Sequence, residues 1–391
     1  MGQYAERVPS ASFSVLSGKV PALGHLDIDL TERCNNDCIH CCINQPERDE
    51  ERRTREMSTA DVVRILDEAA ALGALSVRFT GGEPLLREDF RQIYLHARGL
   101  GLRVMLFTNA RRIAPELAEL LARIPPLLPV EITVYGMKPG SYEAVSRKNG
   151  SFAEFLRGIE LLRGHDVPFI VKGAALPPNR VELEEFREWA SSLPAMTHPP
   201  QLAVFFDLRQ RRDSEEKNRQ IRALRPSPSE GLATLRHMGG QNLREKHEFC
   251  SRFMGAQGAK LFTCGAGHAL SVDAYGRLQP CLTLCAPELT YDLHRGSLAE
   301  ALRDFFPRVR AMEATNPAYL ERCARCFLKG LCEQCPAKSW AEHGTLDTPV
   351  EYLCEVAHEE ARQLGLLQER ERAWQVTDGS ARVARMVGAK R

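Results

Sequence analysis

Three cysteines on a short loop, Cys34, Cys38 and Cys41, constrain this chain more than any other feature. They follow an alternating apolar segment, 26–30, and are separated by three residues and then by two. Electron-transfer iron–sulfur clusters usually take four cysteine ligands. Three thiolates on one tight loop can hold three irons of a cubane and leave the fourth iron open to another molecule. The spacing therefore predicts a cluster that binds a reactant.

A zinc knuckle, or a bare three-cysteine cluster, is the alternative interpretation of this loop. Structural zinc sites more often use C-x2-C pairs with matching cysteines or histidines downstream. A second motif, 80–84, reads Thr-Gly-Gly-Glu-Pro and follows the second predicted strand. Its two glycines allow the backbone to approach a ligand, and its carboxylate can accept hydrogen bonds from an amino group. Taken alone, this motif could equally be a turn.

Together, the two motifs resemble those of the radical S-adenosylmethionine (radical SAM) enzymes. In that family the amino and carboxylate groups of SAM chelate the open iron of a [4Fe-4S] cluster. One electron from the cluster then cleaves a sulfur–carbon bond and gives a 5′-deoxyadenosyl radical. The resemblance implies that Cys34, Cys38 and Cys41 are the cluster ligands. It implies that the SAM-binding residues include His40, Gly81, Gly82, Glu83 and Pro84, with His40 near the adenine.

Polar residues near the ends of later strands are weaker candidates for SAM contacts. Asn109 closes the third predicted strand, where relatives often have Thr-Asn-Gly, and Ala110 stands in place of the glycine. Four further residues match positions that contact the SAM ribose and carboxylate in relatives: Glu131, Thr133, Lys172 and Asn179. The alternative is that each of these is a buried or rim polar residue with a structural role.

Strand and helix patterns alternate through the first half of the chain, with six strand-like apolar segments from 26–30 to 202–206. This alternation predicts parallel βα units that form a partial (β/α)6 TIM-like barrel. Functional groups in such barrels collect at the carboxyl ends of the strands. The cysteine loop follows the first strand, as this rule requires.

Nine of the thirteen cysteines lie after residue 249, and none lies between Cys42 and Cys250. Their order resembles that of the SPASM extension of radical SAM enzymes, which carries two auxiliary iron–sulfur clusters. The resemblance assigns an outer cluster to Cys323, Cys326, Cys332 and Cys354, and an inner cluster to Cys264, Cys281 and Cys335. Two residues precede Cys335 where the family usually has three.

The fourth ligand of the inner cluster stays open in the sequence. Many relatives have a cysteine shortly after the Cys264 position, where this chain has His268. Cys250 or Cys285 could take that place, or one iron could remain open for substrate. A zinc ribbon is the alternative for 323–335, although its C-x2-C pairs lie closer together than in typical zinc modules. Cys42, beside Cys41, is expected to be structural.

The rest of the chain gives plainer expectations. The charged stretch after 206 is expected to be a solvated connector, or else to place Arg209, Arg211 and Arg212 at the cavity mouth against substrate. His294, His343 and His358 lack matching partners, and disorder is expected at the C-terminal end. The predicted division is an N-terminal extension (1–24), a radical SAM partial barrel (25–206), a charged connector (207–249), a SPASM domain (250–360) and a tail (361–391).

Composition narrows the possible partners. A net charge of +1 gives no reason to expect nucleic acid, and no apolar run approaches the length that spans a bilayer. The N-terminus lacks the apolar core of a signal peptide. Thirteen cysteines without a secretion signal therefore indicate metal binding in a reducing compartment, so a cytoplasmic location is expected.

SPASM enzymes act mostly on peptides and proteins, so the resemblance implies hydrogen abstraction during maturation of a ribosomally made peptide, by crosslinking, epimerisation or oxidation. About 25 residues precede the first strand, too few for a leader-binding domain, so a separate leader-binding protein is expected. An electron donor such as flavodoxin or ferredoxin is implied as well. The alternatives are the same chemistry on a tetrapyrrole, whose propionates would suit the arginines at 209–212, and a non-enzymatic iron–sulfur electron carrier.

Overall fold

A computed structural model describes residues 22–238, 257–264, 266–267, 270–329 and 331–388. A mixed, mainly parallel sheet of nine strands forms its centre within these residues. The strands are β1 His25–Thr31, β2 Ser76–Gly81, β3 Arg103–Thr108, β4 Val130–Val134, β5 Phe169–Ala174, β6 Gln201–Ala203, β7 Leu270–Val272, β8 Arg277–Gln279 and β9 Tyr291–Asp292. Their order across the sheet is β9-β8-β7-β1-β2-β3-β4-β5-β6.

Helices follow most of the strands. They are α1 Glu50–Arg55, α2 Thr59–Ala71, α3 Phe90–Gly99, α4 Pro115–Arg123, α5 Pro139–Ser146, α6 Ser151–Gly164, α7 Leu183–Ser191, α8 Glu215–Leu224, α9 Pro228–His237, α10 Leu298–Glu300, α11 Phe306–Arg310, α12 Pro317–Glu321, α13 Pro336–His343, α14 Glu351–Gln363 and α15 Gly379–Gly388. A π-helical turn, Ala301–Phe305, joins α10 to α11. None of the helices described is both long and apolar enough to cross a membrane.

Strands β1 to β6 pair in parallel in chain order, which confirms the predicted βα units. Alternation along β1 shows how the two faces differ: Leu26 and Ile28 are fully buried in the core shared with α2, whereas Asp27 and Asp29 project to the opposite face. Arg78 on β2 reaches Asp27 across that face, with nitrogen and oxygen 3.1 Å apart. The sheet therefore has an apolar face under the helices and a polar, inner face.

The first hairpin of the C-terminal region continues the same sheet. Strand β7 pairs in parallel with β1, with Ile28 opposite Val272, and β8 and β9 follow in antiparallel order. The cysteine pattern predicts that this hairpin belongs to the SPASM domain, and in the structure its first strand pairs with the barrel sheet. Ser271 and Gln279 consequently line the inner face beside Asp27.

The expected solvated connector is wrong for its first residues. Leu208, Arg209 and Gln210 are buried, and α8 and α9 follow them. Arg209 pairs with Asp213 at 2.8 Å and donates to the carbonyl oxygen of Asn44 at 3.0 Å, at the end of the cysteine loop. The charge of Arg209 is therefore used inside the protein, where it joins this stretch to the cysteine loop.

The other two arginines of this stretch also bind protein groups. Arg211 pairs with Glu32 and, at 2.8 Å, with Asp273. Arg212 donates to the carbonyl oxygens of Trp340 and Ala341 at 2.9 and 3.0 Å. These arginines brace the barrel against the C-terminal region, and their interpretation as substrate ligands loses its support.

The expectation of disorder at the C-terminal end is wrong for the part of the tail that the structure describes. Leu366, Leu367 and Ala373 are buried against Phe327 and Leu328 in a small second core. The segment after α14 is therefore part of the C-terminal domain. The apolar residues of this segment are few and lie among charged ones, so they form no helical or strand-like repeat from which their burial could be predicted.

Replacing Leu366 by alanine should lower the free energy of unfolding by about 2–5 kcal/mol, because the side chain is fully enclosed in this small core. Thermal unfolding of the reconstituted protein measures the effect. Leu320→Ala is the matched control, since Leu320 is 39% exposed and its loss should cost less than about 1 kcal/mol. Equal effects of both substitutions would show that the tail does not belong to the folded core.

Candidate active site

The cysteine loop begins at the carboxyl end of β1, and its sulfurs lie close together. The backbone N–H of Asn36 donates to the Cys34 sulfur and that of Asn44 to the Cys41 sulfur, each at 3.4 Å. Burial, followed by the negative charge of Cys41, raises the pKa of Cys38 to about 12. Thiolates in such a place need metal coordination to persist, and N–H donors to sulfur are typical of iron–sulfur sites.

The loop therefore fits a cluster on Cys34, Cys38 and Cys41. In the described part of the chain, no three cysteine, histidine or acidic side chains converge on one point as ligands of a single ion would. A cubane does not require this, because each of its cysteines binds a different iron.

The two glycines of the second motif are fixed by contact with the backbone that leads into the cysteine loop. Gly81 has a φ of 119°, and a Cβ there would lie 2.1 Å from the carbonyl oxygen of Thr31. A Cβ on Gly82 would lie 2.3 Å from the carbonyl oxygen of Arg33. The close approach predicted for a ligand is thus made, at least in part, to the neighbouring strand, and Pro84 starts a single helical turn.

Glu83 is fully buried and joins this motif to the end of β3. Its carboxylate accepts hydrogen bonds from the Thr108 hydroxyl and the Asn109 backbone N–H, both at 2.8 Å, and from the Leu85 N–H at 3.1 Å. Because a carboxylate has about four acceptor positions, one remains for a ligand. Burial raises the pKa of Glu83 to about 7.

Asn109 connects the same network to the cysteine loop. Its side-chain amide donates to Asn35 at 2.7 Å and lies 3.8 Å from the Cys34 sulfur. Arg111, which the sequence analysis missed, donates to the Asn35 carbonyl oxygen at 2.5 Å and to the Asn36 side chain at 2.6 Å. Cysteine loop, glycine motif and third strand are thereby held as one unit.

Ala110 adopts the left-handed conformation, with a φ of 62°, that a glycine would adopt more easily. The space is provided by Gly158 of α6, where a Cβ would lie 2.1 Å from the Ala110 carbonyl oxygen. The departure from Thr-Asn-Gly therefore keeps the backbone geometry, with the small residue required on the facing helix.

His40 lies between two aromatic rings, with its centroid 6.0 Å from that of Tyr135 and 5.4 Å from that of Phe206. Its Nδ1 atom is buried without a hydrogen-bond partner among the described residues. Burial lowers the pKa of His40 to about 4, so the ring is neutral at physiological pH.

The weaker candidates on β4 and β5 lie on the inner face. Glu131 pairs with Lys172 at 2.5 Å, and Lys172 stands 3.5 Å over the Phe107 ring. Thr133 is opposite Lys172 in the sheet. Asn179 is different, because its amide donates to two backbone carbonyls and accepts from the Leu176 N–H. These contacts favour a structural role for Asn179 over a contact with SAM.

The C-terminal cysteines gather into two sets. Cys323, Cys326, Cys332, Cys335 and Cys354 line one cavity of about 80 Å³. Burial and then the charges of three neighbours, Cys326, Cys354 and Cys323, raise the pKa of Cys332. Cys335, assigned to the inner cluster, lines this same cavity, and after burial the charge of Cys281 also raises its pKa. The structure thus brings together the four residues assigned to the outer cluster, with Cys335 beside them and Cys281 near Cys335.

The remaining inner-cluster candidates are placed differently. Cys264 is exposed, and Cys250 and His268 lie outside the described residues. Cys285 is buried, 3.6 Å from the Gln210 side-chain oxygen. After burial, the groups that act on its pKa are Arg211, Asp29, Asp273 and Glu32, and no other cysteine is among them. Cys285 therefore lies at the junction of the barrel and the C-terminal hairpin.

Two side chains that the sequence analysis left without a role contact Cys354. Arg322 lies 3.7 Å from its sulfur. His358 Nδ1 lies 2.8 Å from the Cys354 carbonyl oxygen and 3.6 Å from the sulfur, while its Nε2 accepts from the Ala373 N–H. That acceptor role leaves the proton on Nδ1, facing Cys354. The i,i+4 spacing of Cys354 and His358 on α14 was the available signal.

Comparison with known proteins identifies the barrel. Residues 28–190, which contain the cysteine loop and the glycine motif, match the radical SAM superfamily. This segment is therefore a radical SAM domain. The chain is 25% identical over 334 residues to the AdoMet-dependent heme synthase of Methanosarcina barkeri. The aligned region covers 81% of this chain and 92% of that protein. The chain is 35% identical over 134 residues to the mycofactocin maturase MftC of Mycolicibacterium smegmatis, about a third of each chain.

Solved radical SAM structures share the fold. Streptococcus suis SuiB bound to S-adenosylmethionine superposes with a TM-score of 0.59 over 87% of this chain and 79% of SuiB, at 15% identity. The anSMEcpe enzyme with bound AdoMet gives 0.58 over 87% of this chain and 97% of that one, at 12% identity. These similarities support the fold: a partial barrel followed by a related C-terminal region. The chain is an enzyme, and the electron-carrier alternative falls away.

SAM affinity of this radical SAM protein should fall about tenfold between pH 8 and pH 6, because protonated Glu83 loses the acceptor that an amino group requires. Equilibrium binding of SAM to the reconstituted protein measures this. His40 does not titrate in that range, since its pKa is about 4. The Glu83→Gln variant should bind SAM more weakly than the wild type. If SAM binding by this variant depended on pH as steeply as binding by the wild type, Glu83 would not be the acceptor for the amino group.

Proposed function

We propose that this radical SAM enzyme abstracts a hydrogen atom from a peptide or protein and thereby crosslinks, epimerises or oxidises a residue of that substrate. The observation that carries the peptide substrate is the state of Arg209, Arg211 and Arg212. All three are bound to protein groups, so the contacts shown for them hold the fold together and do not face a cavity as ligands for the carboxylates of a tetrapyrrole would. Two structural neighbours support the proposal, because anSMEcpe and SuiB were solved with peptides bound.

Each part of the site then has a task. A [4Fe-4S] cluster on Cys34, Cys38 and Cys41 would supply the electron that cleaves SAM. Glu83 accepts from the amino group of the methionine moiety, and the Asn109 network fixes the loop that carries the cluster. His40, neutral and flanked by aromatic rings, offers a flat apolar surface to the adenine. Lys172 offers a cation on the inner face.

Two auxiliary iron–sulfur clusters are proposed for the C-terminal cysteines. Cys323, Cys326, Cys332 and Cys354 would bind the outer one, and Cys281 and Cys335, with Cys264, the inner one. Such clusters provide a path for electrons between the barrel and a small redox protein such as flavodoxin or ferredoxin. A separate leader-binding protein and a cytoplasmic location complete the proposal.

A tetrapyrrole substrate is the second candidate. It is favoured by the match to an AdoMet-dependent heme synthase along 92% of that protein, whereas the maturases match over shorter segments. Against it stands the use of the three arginines inside the fold.

The test is incubation of the reconstituted enzyme with SAM and dithionite. Formation of 5′-deoxyadenosine is expected, and its absence would refute the proposed chemistry. Peptides encoded beside the gene and propionate-bearing tetrapyrroles are then added in parallel. A mass change in a peptide supports the first candidate, whereas consumption of the tetrapyrrole alone would establish the second.

A further inference from the structure

A group of buried polar atoms that have no hydrogen-bond partner among the described residues lies on the inner face where β1, β7 and β8 meet. They are Asp29 Oδ1, Ser271 Oγ and Gln279 Nε2, in residues that are 8%, 0% and 1% exposed. Buried polar atoms are nearly always hydrogen-bonded, because an unpaired one costs the desolvation of the group. Three of them in one region indicate a place that a polar ligand or water fills.

The sheet register places these atoms side by side. Ser271 is opposite Asp27 on one side and opposite Gln279 on the other, and Asp29 is the next inward residue along β1. The Cys285 sulfur lies 3.8 Å from the Gln279 side-chain oxygen and 3.6 Å from that of Gln210, and its one hydrogen can serve either oxygen. The Gln279 Nε2 has no acceptor among the described residues, so Gln279 can offer a donor, and Ser271 and Asp29 can accept.

Charge distinguishes Asp29 from the other carboxylates nearby. Asp27 pairs with His25 and Arg78, and Asp273 with Arg211. Asp29 forms no ion pair among the described residues. Burial, followed by the charges of Glu32 and Asp273, raises its pKa well above the usual value. The raised pKa favours the neutral carboxyl group, which can accept through one oxygen and donate through the other, so a neutral ligand group that both donates and accepts would fit here.

We propose that Asp29, Ser271 and Gln279 form a subsite for a peptide amide of the substrate. The Gln279 Nε2 donates to the amide carbonyl oxygen, and the amide N–H donates to Asp29 or Ser271. This inference rests on the proposed function and deepens it, because it states which chemical group is recognised inside the barrel. The subsite lies five residues before Cys34, on the strand that leads into the cysteine loop.

The experiment uses two fully deuterated probes, N-acetylalanine N-methylamide and propionate, with reconstituted enzyme, SAM and dithionite. A probe held in the barrel loses a deuterium atom to the 5′-deoxyadenosyl radical. The C–D bond of the probe breaks and a C–D bond forms in 5′-deoxyadenosine. The remaining carbon radical takes one electron from dithionite and one proton from water. Mass spectrometry gives the deuterated fraction and the total 5′-deoxyadenosine. Deuterium is expected from the amide and not from propionate.

Ser271→Ala should lower the deuterated fraction by about threefold or more while total 5′-deoxyadenosine is retained. Its stability should not fall, since the hydroxyl has no partner to lose. Gln279→Leu should give the same loss and tests the donor. Ser151→Ala is the matched control: Ser151 is equally buried, but its hydroxyl is paired with Ser146 at 2.7 Å, and the deuterated fraction should not change.

Each other outcome overturns the subsite in a distinct way. Transfer from propionate alone would replace it by a carboxylate site and favour the tetrapyrrole. Normal 5′-deoxyadenosine without transfer from either probe would show that these atoms bind only water, with the radical chemistry intact. Unchanged transfer in Ser271→Ala and Gln279→Leu would place the amide elsewhere. Absence of 5′-deoxyadenosine would remove the proposed function, and the subsite with it.

Discussion

Gly82→Ala is expected to abolish both iron binding and SAM cleavage. The new Cβ would lie 2.3 Å from the Arg33 carbonyl oxygen and 2.5 Å from that of Glu32, and these backbone atoms cannot turn aside. The Gly82 N–H also donates to Thr31 at 2.7 Å, and the Glu83 N–H to Arg33 at 2.9 Å. Displacing this contact moves the residue directly before Cys34. Overpacking and lost hydrogen bonds should together cost about 3 kcal/mol or more.

The expected loss of 5′-deoxyadenosine formation is at least roughly 100-fold, because a displacement near 1 Å is enough to misplace reacting groups. Iron per chain and 5′-deoxyadenosine formation are the two measurements. Gly99→Ala is the control, since a Cβ there meets nothing within 4 Å. A Gly82→Ala protein with full iron content and normal SAM cleavage would disprove the role given to this backbone contact.

Cys41→Ser and Cys42→Ser should differ completely, although the two residues are adjacent. Cys41 accepts the Asn44 N–H at its sulfur within the loop, whereas the Cys42 sulfur faces the Gln210 amide at 3.6 Å. Loss of a thiolate ligand should remove the site-differentiated cluster and reduce 5′-deoxyadenosine to background. Cys42→Ser should keep the rate within about threefold.

A third variant, Cys332→Ser, separates the two cysteine regions. Its thiol belongs to the outer C-terminal set, so SAM cleavage should survive while modification of the peptide falls by at least about tenfold. Iron content, 5′-deoxyadenosine and modified peptide are measured on the same preparations. Equal loss of SAM cleavage in Cys332→Ser and Cys41→Ser would argue against separate roles for the two regions.

Local patterns were sufficient for the barrel and for its motifs. Apolar alternation in 26–30 predicted a strand that the structure contains as β1. The rule that functional groups lie at the carboxyl ends of parallel strands placed Cys34, Glu83 and Asn109 together before any contact was known. Their direct linkage through one carboxylate and one amide needed the structure.

Long-range pairing explains most of what the sequence could not predict. Arg211 lies in a stretch whose charge is typical of a solvated segment, and its partners Glu32 and Asp273 are far away in the chain. The burial of Leu366 depends on Phe327 in the same way. A contact between two residues that are far apart in the chain produces no repeating pattern in the residues around either of them, so the sequence gives no sign of it.

The parallel pairing of β7 with β1 has a consequence for synthesis on the ribosome. The first strand emerges early, but its second neighbour is made some 240 residues later. Until then one edge of β1 presents unpaired backbone groups, the kind of surface to which other nascent chains add. We expect fragments that stop at residue 238 to aggregate, and shielding by a chaperone to raise the yield of the full-length chain.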